Sequence, residues 1–269
     1  MKQRFITGTL LVIILGLLIY FGEGPLEFLF SGFCVLLASI ASWEFSRMLY
    51  KDKPFSFFNY LAVLFTFGFA LMNVIFFRQP SIYFQLILLY IIAMFLIYAL
   101  LYVFSANFTF KDFSNQILTV FYTSLGFIAF ANLRILGIHF VIYLFLVAML
   151  TDVFAYLIGV KFGKHRLAVK ISPKKSVEGA IAGLVIGGSL SALYAYFFDF
   201  LELNLFLLLL ISFSLSLISQ IGDLIASKFK RENNIKDYSN IFPGHGGVLD
   251  RFDSSMFAAI FLMIFMMVI

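Results

Sequence analysis

Long, nearly unbroken runs of apolar residues recur along the chain, separated by short polar segments. About nine can be placed, near residues 5–22, 26–48, 56–77, 82–105, 113–134, 138–160, 178–198, 203–229 and 253–269. A helix of roughly 17–25 apolar residues crosses a hydrocarbon core of about 30 Å. Because the runs are continuously apolar rather than alternating, they favour helices over the strands of a barrel. The pattern therefore predicts an all-α polytopic membrane protein with about nine transmembrane helices.

Composition supports this interpretation. The 269 residues are 62% hydrophobic and 12% charged, whereas soluble domains are about 45–50% apolar and about 25% charged. The 38 Phe and 13 Tyr are typical of lipid-facing surfaces and interfacial belts. The one cysteine, Cys34, excludes an intrachain disulfide and a cysteine-based metal site.

The basic residues are distributed unevenly between the two sides of the predicted bundle. With the amino terminus in the cytoplasm, all of the 19 Lys and Arg except Arg78 and Arg134 fall on the cytoplasmic side. An excess of Lys and Arg marks cytoplasmic loops. We therefore expect a cytoplasmic amino terminus, an external carboxy terminus and a multi-pass location in the cell (inner) membrane. The net charge of +5 is explained by this topology and by attraction to anionic headgroups, and we expect no nucleic-acid partner.

A polar stripe lies on the eighth predicted helix. Its members recur at intervals of three or four residues and share one face: Ser216, Ser219, Gln220, Asp223, Ser227 and Lys230. For Ser212, Ser214 and Ser216 we favour simple hydrogen bonding from helix to helix. For Asp223 we favour function, because an unpaired carboxylate in a membrane is expensive.

Asp250 and Asp253 stand three residues apart at the start of the last run, so they face the same way on a helix. Two such carboxylates repel unless a cation lies between them, and hard oxygen ligands suit Mg²⁺. The alternative is that Asp250 pairs with a Lys or Arg at a helix start, where acids are favoured anyway.

The glycines just before these acids, Gly244, Gly246 and Gly247, flank His245. They allow left-handed turns or close approach to a ligand. With Arg251 beside a helix start, they form a candidate phosphate cradle. His245 itself is either a loop residue without chemistry or a proton or phosphate partner.

The loop after the sixth run carries a second set of candidates. Asp152 lies about two turns before the predicted end of that helix, at a depth where an acid needs a cation, a metal or water. The segment Ser172-Pro173-Lys174-Lys175-Ser176 is typical of a loop entering a helix, with Ser176 as the N-cap. Free backbone N–H groups and two lysines would bind an anion there. A solvated basic loop with an ordinary cap explains the same segment equally well.

Together these residues resemble the phosphatidate cytidylyltransferase (CDP-diacylglycerol synthase) family. The resemblance covers roughly the carboxy-terminal half, and the first five runs match only in being hydrophobic. Its main pattern has no mismatch and consists of Ser227, Phe229-Lys230-Arg231, Lys236-Asp237, Ser239, Phe242-Pro243, His245-Gly246-Gly247 and Asp250-Arg251-Phe252-Asp253. Further matching segments are Thr151-Asp152, Phe162-Gly163-Lys164, Ile171–Ser176 and Gly222-Asp223-Leu224. Val177 departs from the pattern, since relatives commonly carry an aromatic residue there.

The resemblance implies a magnesium-dependent nucleotidyltransferase of phospholipid biosynthesis. It would condense CTP with phosphatidic acid, giving CDP-diacylglycerol and pyrophosphate, at an active site facing the cytoplasm. It further suggests a homodimer. It also suggests that residues 1–135 are membrane helices (spans one to five), whereas residues 136–269 (spans six to nine) carry catalysis.

Specific roles follow from the resemblance. The expected ligands of Mg²⁺, and of a second cation if one binds, are Asp223, Asp250, Asp253 and Asp152. The expected catalytic residues are Asp223, Asp250, Asp253, Lys230, Arg231, Arg251 and His245. The expected substrate-binding residues are Lys164, Ser172, Lys174, Lys175, Ser176, Ser227, Lys236, Asp237, Gly246 and Gly247.

Two alternatives stay open. A secondary transporter also carries polar stripes within the membrane, but transporters tend to show internal repeats and midplane sites. Here no repeat is visible and the charges collect at one face. A related nucleotidyl- or phosphotransferase acting on a polyprenyl or ether lipid is the closer alternative, because lipid tails are recognised by diffuse apolar contact.

Overall fold

A computed structural model of the chain describes residues 2–22, 26–51 and 53–268, without the side chains of residues 2–7, 10–12 and 27. Its helices are α1 (Lys2–Phe21), α2 (Glu27–Leu49), α3 (Phe57–Phe76), α4 (Pro80–Phe104), α5 (Phe110–Leu136), α6 (Ile138–Phe162), α7 (Val177–Ala182), α8 (Gly188–Phe198), α9 (Leu205–Glu232) and α10 (Leu249–Val268). A π-helical segment, Gly183–Gly187, joins α7 to α8.

Eight helical segments in the described part of the chain are long and apolar enough to cross a membrane. They coincide with the second to ninth predicted runs, and α7, the π segment and α8 together make one of them, Val177–Phe198. Helix α1, with 20 residues, coincides with the first predicted run. The prediction of an all-α polytopic membrane protein is therefore confirmed, whereas the direction in which the chain crosses the membrane stays a prediction.

The segment expected to be a loop between the sixth and seventh runs contains a small hairpin. Strands β1 (Arg166–Ala168) and β2 (Ser172–Ser176) pair antiparallel, with Arg166 opposite Ser176 and Ala168 opposite Ser172. Both strands of a two-stranded ribbon are edges, so Pro173 is tolerated although it lacks an N–H group. The strands are short and largely exposed, so they lack the alternation of apolar residues that predicts a strand.

The chain divides into two compact units. The first comprises Met1–Asn132 and Asp237–Leu249, and the second comprises Leu133–Lys236 and Asp250–Ile269. The proposed division of roles between residues 1–135 and 136–269 stays a prediction.

In the first unit, buried polar side chains join neighbouring helices. Asn73 on α3 donates a hydrogen bond to Asn132 on α5 at 2.7 Å and accepts one from Tyr83 at 2.5 Å. Thr66 donates to Ser42 at 3.1 Å. No water competes for these groups in a bilayer core, and each interhelical hydrogen bond contributes about 0.6 kcal/mol on average.

In the second unit, small residues let α6 pack closely against α7 and the π segment. Gly179, Gly183 and Gly187 follow one another at intervals of four residues, and a Cβ at Gly187 would lie 2.7 Å from the backbone nitrogen of Thr151. Such spacing of small residues permits backbones to approach. The packing fixes the part of α6 that carries Thr151 and the adjacent Asp152.

Part of the polar stripe on α9 serves this packing. Gln220 donates to the carbonyl of Ala180 at 3.2 Å, and Ser216 to that of Gly183 at 3.5 Å. Ser216 also bonds Thr151 at 2.7 Å, and Ser212 bonds Tyr143 at 2.6 Å. The interpretation of Ser212 and Ser216 as links between helices is confirmed. It is wrong for Ser214, which is half-buried and donates to the carbonyl of Leu210 in its own helix.

Helices α9 and α10 meet at Gly222. A Cβ at this position would lie 2.8 Å from a ring carbon of Phe257 and 2.9 Å from the carbonyl oxygen of Asp253. Only a residue without a side chain fits here. The close approach brings the residue after Gly222, Asp223, toward the first turn of α10.

We expect Gly222→Ala to lower the free energy of unfolding by about 1–3 kcal/mol, because the added methyl group overpacks the contact with α10. Unfolding of the purified protein in detergent measures this change. The control is Gly32→Ala on α2, where an added Cβ meets no described atom within 4 Å apart from its chain neighbours and the nearby backbone of its own helix. It should be neutral or stabilising by up to about 1 kcal/mol, because Ala favours helix over Gly. Equal stability of the two variants would contradict the packing at Gly222.

Candidate active site

Acidic and basic side chains from four elements of the second unit form what we term the acid–lysine cluster. It consists of Asp152 on α6, Lys175 on β2, Asp223, Ser227 and Lys230 on α9, and Asp250 and Asp253 on α10. On α9, Ser227 donates to Asp223 at 3.4 Å, as expected for two members of the predicted shared face. Since α6 and β2 also contribute to the cluster, it draws on both stretches of sequence that carry candidate residues.

Lys230 links the two acids of α10. Its Nζ lies 2.8 Å from Oδ1 of Asp250 and 3.8 Å from Oδ2 of Asp253. The side chains are only 10%, 3% and 13% exposed, in the order Lys230, Asp250 and Asp253. Charges removed from solvent to this degree need their partners, and removing one typically costs about 3–5 kcal/mol. Asp250 thus pairs with a lysine, as the alternative to cation binding predicts.

A second ion pair joins β2 to α9. The ammonium group of Lys175 contacts Oδ2 of Asp223, and both side chains are about a quarter exposed. The charges of Lys175 and Asp223 act on Asp152, and the charge of Asp223 also acts on Asp253. Asp223 thus pairs with Lys175 and also interacts electrostatically with Asp253, an acid that Lys230 contacts.

The cluster contains four carboxyl groups and two amino groups. Carboxylate oxygens are the ligands that Mg²⁺ prefers, so the donor set fits the predicted cation. Among the described residues, no three acidic, His or Cys side chains converge as a ready-made metal site. Lys175 and Lys230 instead contact the carboxylates that a cation would use.

Strand geometry explains why Lys174 and Lys175 differ. Successive side chains on a strand point to opposite faces, and here Lys175 reaches Asp223 whereas Lys174 is exposed. Ser176 ends the strand and caps α7, accepting a hydrogen bond from the backbone nitrogen of Gly179 at 3.1 Å. The prediction of this N-cap is confirmed.

Glu178 anchors the open end of the hairpin, where β1 begins and β2 ends. It accepts hydrogen bonds from the backbone nitrogens of Lys164 at 3.0 Å and His165 at 3.2 Å. Its Oε1 also lies 2.6 Å from Nδ1 of His165. These contacts fix β1 and β2, and with them the position from which Lys175 extends.

The other predicted residues of the second unit lie at its surface. Ser172 is half-buried. Arg231 is exposed and donates to the carbonyl of Ile235 at 3.1 Å. The remaining exposed residues are Lys164, Lys174, Lys236 and Arg251. Their roles in substrate binding or catalysis stay predictions.

Asp237, His245, Gly246 and Gly247 belong to the first unit, and their roles also stay predictions. Gly244 and Gly246 adopt φ values of 77° and 81°, so the predicted left-handed turns are confirmed there. The turn is closed by hydrogen bonds from His245 nitrogen to Phe242 oxygen and from Phe242 nitrogen to Gly246 oxygen.

Gly247 has a packing reason to be glycine that the sequence pattern does not reveal. A Cβ there would overlap the carboxylate of Glu44 on α2, which also accepts hydrogen bonds from Ser239, Val248 and Leu249. Glu44 lies outside the motif, although a lone acid within an apolar span is itself a signal.

Comparison with known proteins agrees with the resemblance. The model of the cytidylyltransferase family matches residues 2–269. Phosphatidate cytidylyltransferases from Staphylococcus haemolyticus, Staphylococcus aureus and Staphylococcus saprophyticus are 46%, 45% and 43% identical to this chain over 151 residues. Each match covers 56% of this chain and 58% of the relative, which is less than two thirds of the relative's length. Because the family model spans nearly the whole chain, the chain belongs to the cytidylyltransferase family.

Proposed function

We propose that this protein transfers the CMP moiety of CTP to phosphatidic acid, producing CDP-diacylglycerol and pyrophosphate. The names of its relatives support the substrates. The observation that carries the proposal is the acid–lysine cluster, in which Lys230 contacts Asp250 and Asp253 while Lys175 contacts Asp223. Its residue types suit a reaction between two phosphate-bearing substrates.

In the proposed reaction, an oxygen of the lipid phosphate attacks the α-phosphorus of CTP. A new phosphorus–oxygen bond forms, the bond from the α-phosphorus to the bridging oxygen breaks, and pyrophosphate leaves with that oxygen. Both reactants are anions, so the protein must hold them close together and neutralise their repulsion. Positioning and electrostatic stabilisation account for most of the catalysis in such transfers.

Asp223, Asp250 and Asp253 are the residues that would hold Mg²⁺, with Asp152 close enough to take part or to hold a second cation. The excess of carboxyl groups over amino groups in the cluster supports this assignment. A bound Mg²⁺ supplies charge neutralisation at the triphosphate and at the leaving pyrophosphate.

Lys175 and Lys230 are the cluster residues that would contact the phosphates. Each now holds a carboxylate, and an ammonium group on a flexible stem can exchange a carboxylate for a phosphate oxygen. The exposed residues Arg231 and Arg251 would add bidentate contacts to phosphate. The ion pairs thus hold both lysines close to the acids before substrate binds.

A cytoplasmic active site in the cell membrane forms part of the proposal. Its support is the concentration of Lys and Arg on one side of the predicted topology and the presence of CTP in the cytoplasm. The proposed homodimer has only the family resemblance behind it.

Incorporation of labelled CTP into lipid by the purified protein tests the function. We expect transfer with phosphatidic acid and none when it is omitted, because the lipid phosphate is the nucleophile. Parallel reactions with a polyprenyl phosphate and an ether-linked phosphatidic acid distinguish the related transferases. Uptake of a solute into proteoliposomes, without any lipid product, would instead support a transporter.

Asp250→Asn and Asp253→Asn test the cation assignment. Each should lower turnover at saturating Mg²⁺ by about 100-fold or more, because a neutral amide is a poorer Mg²⁺ ligand than a carboxylate and so weakens the hold on the cation that would stabilise the transferring phosphates. Removing divalent cations with a chelator should abolish transfer by the unchanged protein.

The control for these variants is Asp199→Asn. Asp199 is exposed after α8 and adopts a left-handed conformation with φ of 45°, which asparagine tolerates well. Turnover of a folded Asp250→Asn or Asp253→Asn protein that equals the turnover of this control would exclude the assignment.

Lys230→Met should lower both turnover and the free energy of unfolding, the latter by about 3–5 kcal/mol, because it removes one charge of a buried ion pair. The matched variant Lys228→Met changes an exposed lysine whose pair with Glu232 spans 3.7 Å, and such a pair contributes only about 0.3–0.5 kcal/mol. Transfer assays and detergent unfolding compare the two. Similar values for both variants would show that the buried pair has no special role.

A further inference from the structure

Glu44 is a buried acid in a transmembrane helix, outside the acid–lysine cluster. It lies near the carboxy-terminal end of α2, and none of its surface is exposed. A carboxylate in such a place requires donors to compensate its charge. Its partners therefore reveal what the residue does.

The donors come from the segment Ser239–Leu249, which we term the glycine loop. Oε1 of Glu44 accepts a hydrogen bond from the hydroxyl of Ser239 at 2.5 Å and one from the backbone nitrogen of Val248 at 2.9 Å. Oε2 accepts one from the backbone nitrogen of Leu249 at 2.9 Å. Both ends of the loop are thus held by one side chain, and hydrogen bonds to a carboxylate are stronger than neutral ones.

Two further features join this part of the chain to α2. There is no room for a Cβ at Gly247 beside the carboxylate. The residue before the loop, Tyr238, is buried and places its ring 6.4 Å from that of Phe45. The glycine loop and the residue before it therefore contact α2 through both polar and aromatic side chains.

The contact with Leu249 has a consequence for the helix that follows. Leu249 is the first residue of α10, and the first backbone N–H groups of a helix have no partner within it. Glu44 supplies that partner from a different helix, with a negative charge at the positive end of the helix dipole. The position at which α10 begins is thereby fixed.

The chain runs directly from Leu249 into Asp250 and, one turn later, Asp253. Building on the proposed function, we propose that Glu44 is a positioning residue. By holding Ser239, Val248 and Leu249, it sets where α10 starts, and hence where these two acids present their carboxylates to a divalent cation. Glu44 itself touches neither substrate nor cation.

Glu44→Gln tests this role, because the amide keeps the shape and one acceptor oxygen but loses the charge and turns an NH₂ group toward backbone donors. Hydrogen exchange at the amides of Val248 and Leu249 should accelerate on the order of tenfold, because the opposing carboxylate no longer protects them. This readout requires neither substrate nor Mg²⁺.

The second readout is the Mg²⁺ concentration that gives half-maximal CTP transfer. We expect Glu44→Gln to raise it by about 10- to 100-fold, as is typical when residues that orient metal ligands are changed. A purely structural defect would reduce the amount of active protein but leave this concentration unchanged. Ser239→Ala removes one of the donors to Glu44 and should give the same two changes at smaller amplitude. It also serves as the test if Glu44→Gln does not fold.

The control is Asn73→Ala, which removes equally buried hydrogen bonds of the first unit, to Asn132 and Tyr83. It should destabilise the protein without changing either readout. Unchanged exchange at Val248 and Leu249 in Glu44→Gln would overturn the contact, and faster exchange with an unchanged Mg²⁺ requirement would overturn the positioning role. If the unaltered protein transfers no CMP, the proposed function fails, while the exchange measurement still decides whether Glu44 holds the loop.

Discussion

The constraint that governs this structure is that a charge within a transmembrane helix must be compensated by protein. Lys230 shows how this is achieved, since its ammonium group lies between Asp250 and Asp253 with almost no exposure of the three side chains. Such a group is expensive as scaffolding, because apolar residues of similar volume often stabilise a fold as well or better. Retaining it in a chain that is only 12% charged favours a functional reason for the cluster.

Helix α9 serves two purposes along its length. Toward its middle, Ser216 and Gln220 bond carbonyl groups of α7 and the π segment. One turn further, Asp223 and then Lys230 face acids and a lysine from other elements. The helix that packs against the irregular segment therefore also carries the charged groups, so the same interface that holds the bundle together positions the candidate site.

Much of this could be predicted from the sequence because the physical signals are local. Hydrophobic length identified the spans, and helical periodicity placed Asp223, Ser227 and Lys230 on one face. Ser176 is followed by Glu178 and helix-compatible residues, so its role as an N-cap could be predicted from the sequence. The hairpin was not predictable, because three- and five-residue polar strands carry no periodic signal. The π segment was not predictable either, because its contact with α9, from Ser216 to the carbonyl of Gly183, joins residues 33 positions apart in the sequence.

The glycine loop shows the limit of motif reasoning most clearly. Ser239 and Gly247 belong to the pattern that resembles the phosphatidate cytidylyltransferase family, and the resemblance implies that Gly247 binds substrate. Their contacts with Glu44 explain the identity of both residues without any ligand. The hydroxyl of Ser239 donates to the buried carboxylate, and a Cβ at Gly247 would overlap it. Glu44 is about 200 residues away in sequence, so spacing within the motif could not reveal it. Under the proposed positioning role, a motif residue would serve the reaction by fixing the helix that carries the acids, without touching the substrate.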